Sequence, residues 1–259
     1  MAARWIDEER PVLQAGAIVL TSFPSAGLAA TVAAHYIVQT LALPRIGLVD
    51  SPDGSSIAIV QSGRVQPAVR IHGRPDLGVV LSELPVAPSA GPEIARMILN
   101  GAEARQAKLV IGLEGVVPHP TSAPSEDANE EYVWAALSRP DERLADQLRS
   151  SKARLLEDGV IGGVSGALLV EGIRKTVPVA VLLVSAHPSE EGFPDHRAGA
   201  ALIEALDRML PSLKIDTGPL RSQAEAIERA LRAALKGRDR KAAGPAETPA
   251  PPSEPTIYG

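Results

Sequence analysis

Four carboxylates stand where a sheet protein could use them for chemistry. Asp50, Asp53, Glu83 and Glu114 each follow, at or just beyond its end, a short apolar segment. In an open α/β sheet the carboxyl ends of parallel strands share one edge, and ligands bind in the crevice there. Carboxylates at that edge can act as general acid and base. Loops also need polar residues to stay solvated, and we favour this second interpretation.

The sequence contains no motif typical of a metal site or of a catalytic nucleophile. The chain has no cysteine, which excludes disulfides, thiolate catalysis and cysteine metal sites. Its five histidines form neither H-x-x-x-H nor H-E-x-x-H, and they are His35, His72, His119, His187 and His196. No serine–histidine–carboxylate set follows from spacing. We therefore predict no catalytic residue, no metal site and no cofactor.

A glycine cluster at 159–166 is the other candidate site. Its spacing is not G-x-G-x-x-G, and no Lys-Ser or Lys-Thr pair follows, as a phosphate loop requires. Ser165 is not at a nucleophile elbow, because Ala167 occupies the last glycine position of G-x-S-x-G. The cluster predicts close packing of a helix on the sheet through small residues, although the helix start could hold an anion.

The elements that would position these residues alternate between strand and helix patterns. Apolar segments typical of buried strands occur at 17–20, 46–49, 57–60, 77–84, 108–113 and 177–185. Helical patterns follow at 28–43, 93–106, 140–156, 195–210 and 219–235, and another leads from the glycine cluster to about 175. Residues 67–72 can pair with 57–60. This alternation predicts an α/β fold with a mostly parallel sheet between two layers of helices.

Composition narrows the class of protein. The 259 residues carry a net charge of −5, which implies no general affinity for nucleic acid or anionic membranes. No apolar run reaches the roughly 18 residues of a membrane span. The first ten residues carry acids where a signal peptide needs an apolar core. We expect a soluble cytoplasmic protein.

Residues 237–259 differ from the rest of the chain. This segment is rich in alanine and glycine, and it has prolines at positions 245, 249, 251, 252 and 255. Such a composition favours extended conformers and offers little apolar surface. It ends in Thr256-Ile257-Tyr258-Gly259. We predict one domain over 1–236, and a linker over 237–259 that carries a recognition tag. The basic residues at 236–241 could steer that tag to an acidic surface.

The tag resembles a known docking motif. Ile257-Tyr258-Gly259 is similar to the hydrophobic–tyrosine–any-residue (HbYX) ending of proteins that dock on the proteasome core particle. The resemblance implies that the Gly259 carboxylate pairs with a lysine between two α-subunits, while Tyr258 and Ile257 fill the adjacent slot. Capture of a chain terminus gives both affinity and direction.

The body resembles the proteasome assembly chaperone family, in its archaeal and prokaryotic homologues. The similar segments are Phe23-Pro24-Ser25-Ala26-Gly27-Leu28, Pro67-Ala68-Val69-Arg70-Ile71, Leu81-Ser82-Glu83-Leu84-Pro85, 159–166 and Gly192-Phe193-Pro194-Asp195-His196-Arg197-Ala198. Ser25 replaces the more usual glycine.

The resemblance implies an α/β body related to nucleoside phosphorylases, without an established active site or cofactor. It implies proteasome α-subunits as partners, and a homo-oligomer, with a tetramer favoured over a trimer or pentamer. Two alternatives stay open. One is a proteasome activator or adaptor that uses the same tail. The other is a small-molecule ligase or phosphorylase-like enzyme that uses the strand-end carboxylates.

Overall fold

The structure is a computed structural model of the chain. It describes residues 3–8, 12–50, 59–61, 63–117, 132–186, 193–227 and 229–230. Its strands are β1 (Arg4–Asp7), β2 (Ile18–Ser22), β3 (Arg45–Asp50), β4 (Ile59–Gln61), β5 (Arg64–Gln66), β6 (Val69–Arg74), β7 (Leu77–Ser82), β8 (Leu109–Val116), β9 (Val133–Leu137), β10 (Arg154–Leu155) and β11 (Val179–Ser185). Its helices are α1 (Ala29–Thr40), α2 (Gly91–Ala104), α3 (Glu142–Ser150), α4 (Gly163–Gly172), α5 (His196–Met209) and α6, at 218–227.

Nine strands form one mixed sheet in the order β1-β3-β6-β7-β2-β8-β11-β9-β10. The four central strands, β7, β2, β8 and β11, are parallel to one another. Antiparallel pairs join the flanking strands β1, β3, β6 and β9. The predicted α/β fold is confirmed, and its parallel part lies at the centre, where the continuous apolar runs are.

Side-chain alternation along the strands divides the core into two layers. In β2, Leu20 packs on the side of α1, α3 and α5, whereas Val19 packs on the side of α2 and α4. Both residues are fully buried. Since successive strand residues point to opposite faces, a strand buried on both sides has no polar face. This explains why the central strands are recognisable as apolar runs.

The connections place a crevice between β2 and β7. The chain leaves β2 towards α1 on one face and leaves β7 towards α2 on the other. Two adjacent parallel strands whose connections diverge in this way define a topological switch point, where α/β sheets bind ligands. Ser22 and Ser82 end the two strands at this point.

Several local predictions were wrong. Residues 67–72 do not pair with 57–60, because β6 lies between β3 and β7 while β4 pairs with β5 in a separate hairpin. The helix predicted over 140–156 is two elements, α3 and β10. The edge strand β1 and the strand β9 were not predicted. In the described part of the chain, no helix is long and apolar enough to cross a bilayer.

Candidate functional site

The predicted docking residues are not among those that the structure describes. Ile257, Tyr258 and Gly259 lie outside the described residues, as does the whole linker from 237. Asp53, His119 and His187 also fall outside them. The candidate site that the structure does describe is therefore the carboxyl edge of the sheet.

Three of the four predicted acidic residues lie at this edge. The strands β3 and β7 are both antiparallel to β6, so they run in the same direction, and β8 runs parallel to them. The ends of these three strands therefore share one edge of the sheet. At that edge lie Asp50 at the end of β3, Glu83 just after β7 and Glu114 near the end of β8. The prediction that these residues lie at the carboxyl ends of strands, along one edge of the sheet, is correct for these three.

Glu83 belongs to a charged cluster on the α1 side of the sheet. Its Oε1 accepts from the Arg70 guanidinium, and His35 Nε2 lies 2.9 Å from the same oxygen. Arg70 is only 4% exposed. Glu83 Oε2 is buried and has no hydrogen-bond partner within the described residues. The pair neutralises a guanidinium that would otherwise be buried at high cost.

His72 lies next to this cluster in the same face of β6. Burial lowers the pKa of His72, while a 3.0 Å contact from its Nδ1 to the Leu43 carbonyl opposes that shift. The positive charges of Arg70, His35 and Arg45 lower the pKa further. His72 is thus held neutral, and its ring serves packing and a backbone hydrogen bond.

Glu114 occupies the other face of the sheet, against α4. Ser165 Oγ donates a 2.6 Å hydrogen bond to Glu114 Oε2, and Ser165 is 4% exposed. Burial raises the pKa of Glu114 to about 7, and the bond from Ser165 partly opposes that rise. A Cβ on Gly112 would lie 3.0 Å from Val181 Cγ2 and 3.5 Å from Ser165 Oγ, so glycine at 112 makes room for this contact.

The two carboxylates therefore do not form an acid–base pair. Glu83 contacts α1 and Glu114 contacts α4, and these helices cover opposite faces of the sheet. A two-carboxylate mechanism needs both groups in one crevice. Ser165 bonds to Glu114 directly, with no histidine between them, so it does not form a hydrolase triad. The described residues contain no cluster of three or more potential metal ligands.

The turn after β2 is held at this edge by its backbone. Gly27 and Leu28 both have left-handed dihedral angles, with φ of 59° and 52°. Ser25 Oγ accepts from the Gly115 amide at 2.9 Å. The Asp195 amide donates to the Gly27 carbonyl at 2.7 Å. Segments that are far apart in the sequence, the 23–28 turn and the start of α5, thus meet beside the end of β8.

The glycine cluster has a structural role. Gly163 has a φ of 63°, which a residue with a side chain adopts only under strain. A Cβ on Gly166 would lie 2.1 Å from the Ile161 carbonyl oxygen, closer than any real contact. These glycines let the loop turn directly into α4. Their role is structural, as predicted, but the close contact at Gly166 is with the loop at Ile161 and not with the sheet.

Sequence reasoning missed the partners of both carboxylates. Arg70 was noted only as part of a strand motif, and its burial was not foreseen. A single arginine inside an apolar strand, Val69 to Ile71, was the available sign that it would need a buried carboxylate. Ser165 was considered only as a nucleophile.

Comparison with known proteins decides the family. The model of the PAC2 family matches residues 19–235, which is most of the chain and includes every strand of the central sheet from β3 onwards. The chain belongs to the PAC2 family. Its fold is also that of PbaA from Pyrococcus furiosus, an archaeal homologue of proteasome-assembly chaperone. The match has a TM-score of 0.78 and 27% identity, and it covers 93% of this chain and 94% of PbaA.

Two further proteins are similar to this chain. An uncharacterized protein of Methanocaldococcus jannaschii, MJ0106, is 26% identical over 215 residues, or 83% of this chain and 84% of MJ0106. PbaB of P. furiosus, an archaeal proteasome activator, matches with a TM-score of 0.74 over 90% of this chain and 99% of its own. At 22% identity, PbaB shows that the fold is shared. The resemblance to the assembly chaperone family is confirmed.

Proposed function

We propose that this PAC2 family protein is a proteasome assembly chaperone of the cytoplasm that docks on core-particle α-subunits. Residues 1–236 would form one α/β domain, and 237–259 a linker that presents Ile257, Tyr258 and Gly259. The observation that carries the proposal is the agreement between body and tail. The body matches PbaA at 27% identity, and the chain ends in a hydrophobic–tyrosine–glycine triplet.

The arrangement of charged groups supports a binding protein over an enzyme. Among the described residues, Glu83 and Glu114 are on opposite faces, and each is committed to a neighbour of its own, Arg70 or Ser165. The ligase or phosphorylase alternative would require a shared pocket for these carboxylates. We therefore propose no catalytic role for Glu83 or Glu114.

Docking through a short tail favours an assembly with several tails. A three-residue anchor buries little surface, so one tail binds weakly. About 20 linker residues at roughly 3.1 Å each extend to about 60 Å. That length lets several tails of one homo-oligomer, which we expect to be a tetramer, reach separate pockets of an α-subunit ring.

The test is binding of the full chain to purified archaeal proteasome α-subunits. Deletion of Ile257 to Gly259 is expected to abolish binding, and Tyr258→Ala to weaken it about ten-fold or more, since a buried aromatic side chain contributes roughly 2 kcal/mol. Thr256→Ala, immediately outside the triplet, is the matched control. Binding that survives the deletion would refute the docking role.

A second measurement separates assembly from activation. An activator that uses the same tail would raise peptide hydrolysis by mature core particles, whereas an assembly chaperone would speed the appearance of core particles from free subunits. Tyr258→Ala is expected to abolish whichever of these effects the intact chain has.

A further inference from the structure

The outer surface of α4 is apolar, although part of it faces solvent. The helix sequence, GVSGALLVEG, contains one charged residue and is apolar on every side. A helix of this kind is normally buried all round. Here Val164, Leu168 and Gly172 pack inward, but Val170 and the following Ile173 are 60% and 59% exposed.

The sheet beside α4 is also incompletely covered. On the opposite face, Val133 and Ala135 of β9 are buried in the same core as α3 and α5. On the α4 side, β9 presents Trp134 and Ala136, both half-buried, and Ala136 lines a cleft together with α4. Arg154 of β10 pairs with Trp134, and its guanidinium lies 4.1 Å from the centre of the Tyr132 ring. Tryptophan, tyrosine and arginine are the residues most enriched at protein interfaces.

A cleft and a projecting side chain lie next to each other on this surface. The cleft, of about 260 Å³, is lined by Ala136, Leu156–Gly159, Ile161, Gly166, Leu169 and Val170. Val160, between two of the lining residues, is fully exposed. A two-fold axis close to this loop would carry each Val160 to the cleft of the other copy, because a two-fold interface uses the same patch twice.

The charges at the two ends of α4 fit the same arrangement. Glu157 and Asp158, both exposed, precede the helix, and the exposed Arg174 follows it. When two copies of α4 cross antiparallel, the acidic end of each faces the basic end of the other. The opposed helix dipoles favour this orientation as well.

We propose that two copies of this chain associate through a two-fold contact, called here the α4 face, which consists of the 156–161 loop, the outward side of α4 and the half-buried Trp134 and Ala136 of β9. The inference deepens the self-association in the proposed function and does not depend on proteasome docking. The partner that binds this surface is a second copy of the same chain.

The first test is the mass of the full chain by sedimentation velocity over a range of concentrations. Val160→Asp and Val170→Asp are each expected to raise the dissociation constant about ten-fold or more. Val65→Asp is the matched control, because Val65 is 68% exposed on the β4–β5 hairpin. Since Val160 makes no contact that folding needs, a change in mass reports association. A monomeric wild-type chain, or variants that keep the wild-type mass, would overturn the inference.

The second test uses charge reversal to examine the pairing. The double variant Glu157→Arg/Asp158→Arg leaves positive charge at both ends of α4, and Arg174→Glu leaves negative charge at both ends. Each variant alone is expected to associate more weakly than wild type, whereas an equimolar mixture forms hetero-assemblies with near wild-type affinity. A mixture no tighter than its components would overturn the antiparallel two-fold contact.

The outcomes also separate this inference from the docking proposal. If the chain is monomeric but still binds α-subunits through Tyr258, the proposed contact through the α4 face is refuted and the docking proposal stands. An assembly that dissociates with Val160→Asp, but that binds no α-subunit, would do the reverse.

Discussion

Replacing Glu114 by glutamine is expected to stabilise the fold at and above neutral pH. Burial raises the pKa of Glu114 to about 7, while the 2.6 Å bond from Ser165 Oγ works in the opposite direction. An ionised carboxylate in this position loses more solvation than one hydroxyl restores. Glutamine keeps an oxygen that accepts the bond from Ser165, and it has no charge to bury.

The size of the effect follows from proton linkage. In the unfolded chain the carboxyl of Glu114 ionises near its model value of 4.5, whereas in the folded protein it ionises at about 7. Between these values the folded state holds a proton that the unfolded state has lost, so the free energy of unfolding falls as the pH rises. The protonated carboxyl's contribution is fully present below pH 4.5 and is lost above about pH 7. This interval corresponds to about 3 kcal/mol.

The assay is urea unfolding of both proteins at about pH 5 and about pH 8. Glu114→Gln should gain little at the lower pH and about 3 kcal/mol at the higher one, or roughly 6–12 °C in Tm. A stability difference that does not change with pH would refute the reasoning, because it would mean that Glu114 ionises equally in both states. A loss at high pH would show that the carboxylate charge has a favourable partner.

Glu103 supplies a control with the opposite sign. Burial by itself would raise the pKa of Glu103, but Lys175 Nζ at 3.0 Å, the Thr176 amide at 2.6 Å and Thr176 Oγ1 at 2.8 Å outweigh it and lower the pKa to about 2. Its stabilising contribution is present above pH 4.5 and lost as the pH falls towards 2. Glu103→Gln should therefore destabilise the protein at neutral pH.

Two further predictions concern the elements around the carboxyl edge. Arg70→Met is expected to lower the free energy of unfolding in urea by about 3 kcal/mol, because it leaves the half-buried Glu83 carboxylate without its guanidinium. Adding Glu83→Gln should recover part of this loss, and a double variant whose effects simply add would contradict the expected pairing. Gly166→Ala is expected to cost more than about 2 kcal/mol, since its Cβ would lie 2.1 Å from the Ile161 carbonyl oxygen, whereas Gly162→Ala meets no atom within 4 Å and should be nearly neutral. Equal costs at the two glycines would refute the close packing.

The parts of the fold that the sequence predicts are those whose burial is local. Strands β2, β7, β8 and β11 lie between two layers of helices, so each is a continuous apolar run. The edge strand β1 depends instead on distant contacts. Its Trp5 packs on Gly101, and the guanidinium of Arg105 lies 4.4 Å from the ring centre. Nothing within the segment 4–7 indicates those partners.

The candidate site shows the same division. Strand-end spacing was enough to place Glu83 and Glu114 at one edge of the sheet. Which face each carboxylate occupies depends on strand register and on the helix that covers it, and these are properties of the whole fold. The pairing of Arg70 with Glu83 needs β6 antiparallel to β7, whereas the sequence analysis paired this segment with 57–60.

The two proposals are linked through avidity. Under the docking proposal, a single tail ending in Ile257-Tyr258-Gly259 would bind weakly, because three residues bury little area. Two tails on one dimer convert the second binding event into an intramolecular one, at an effective concentration in about the millimolar range for a flexible linker. The gain can reach roughly 10²–10⁴ without any new contact to the proteasome. A contact through the α4 face would therefore raise the affinity with which the tails dock.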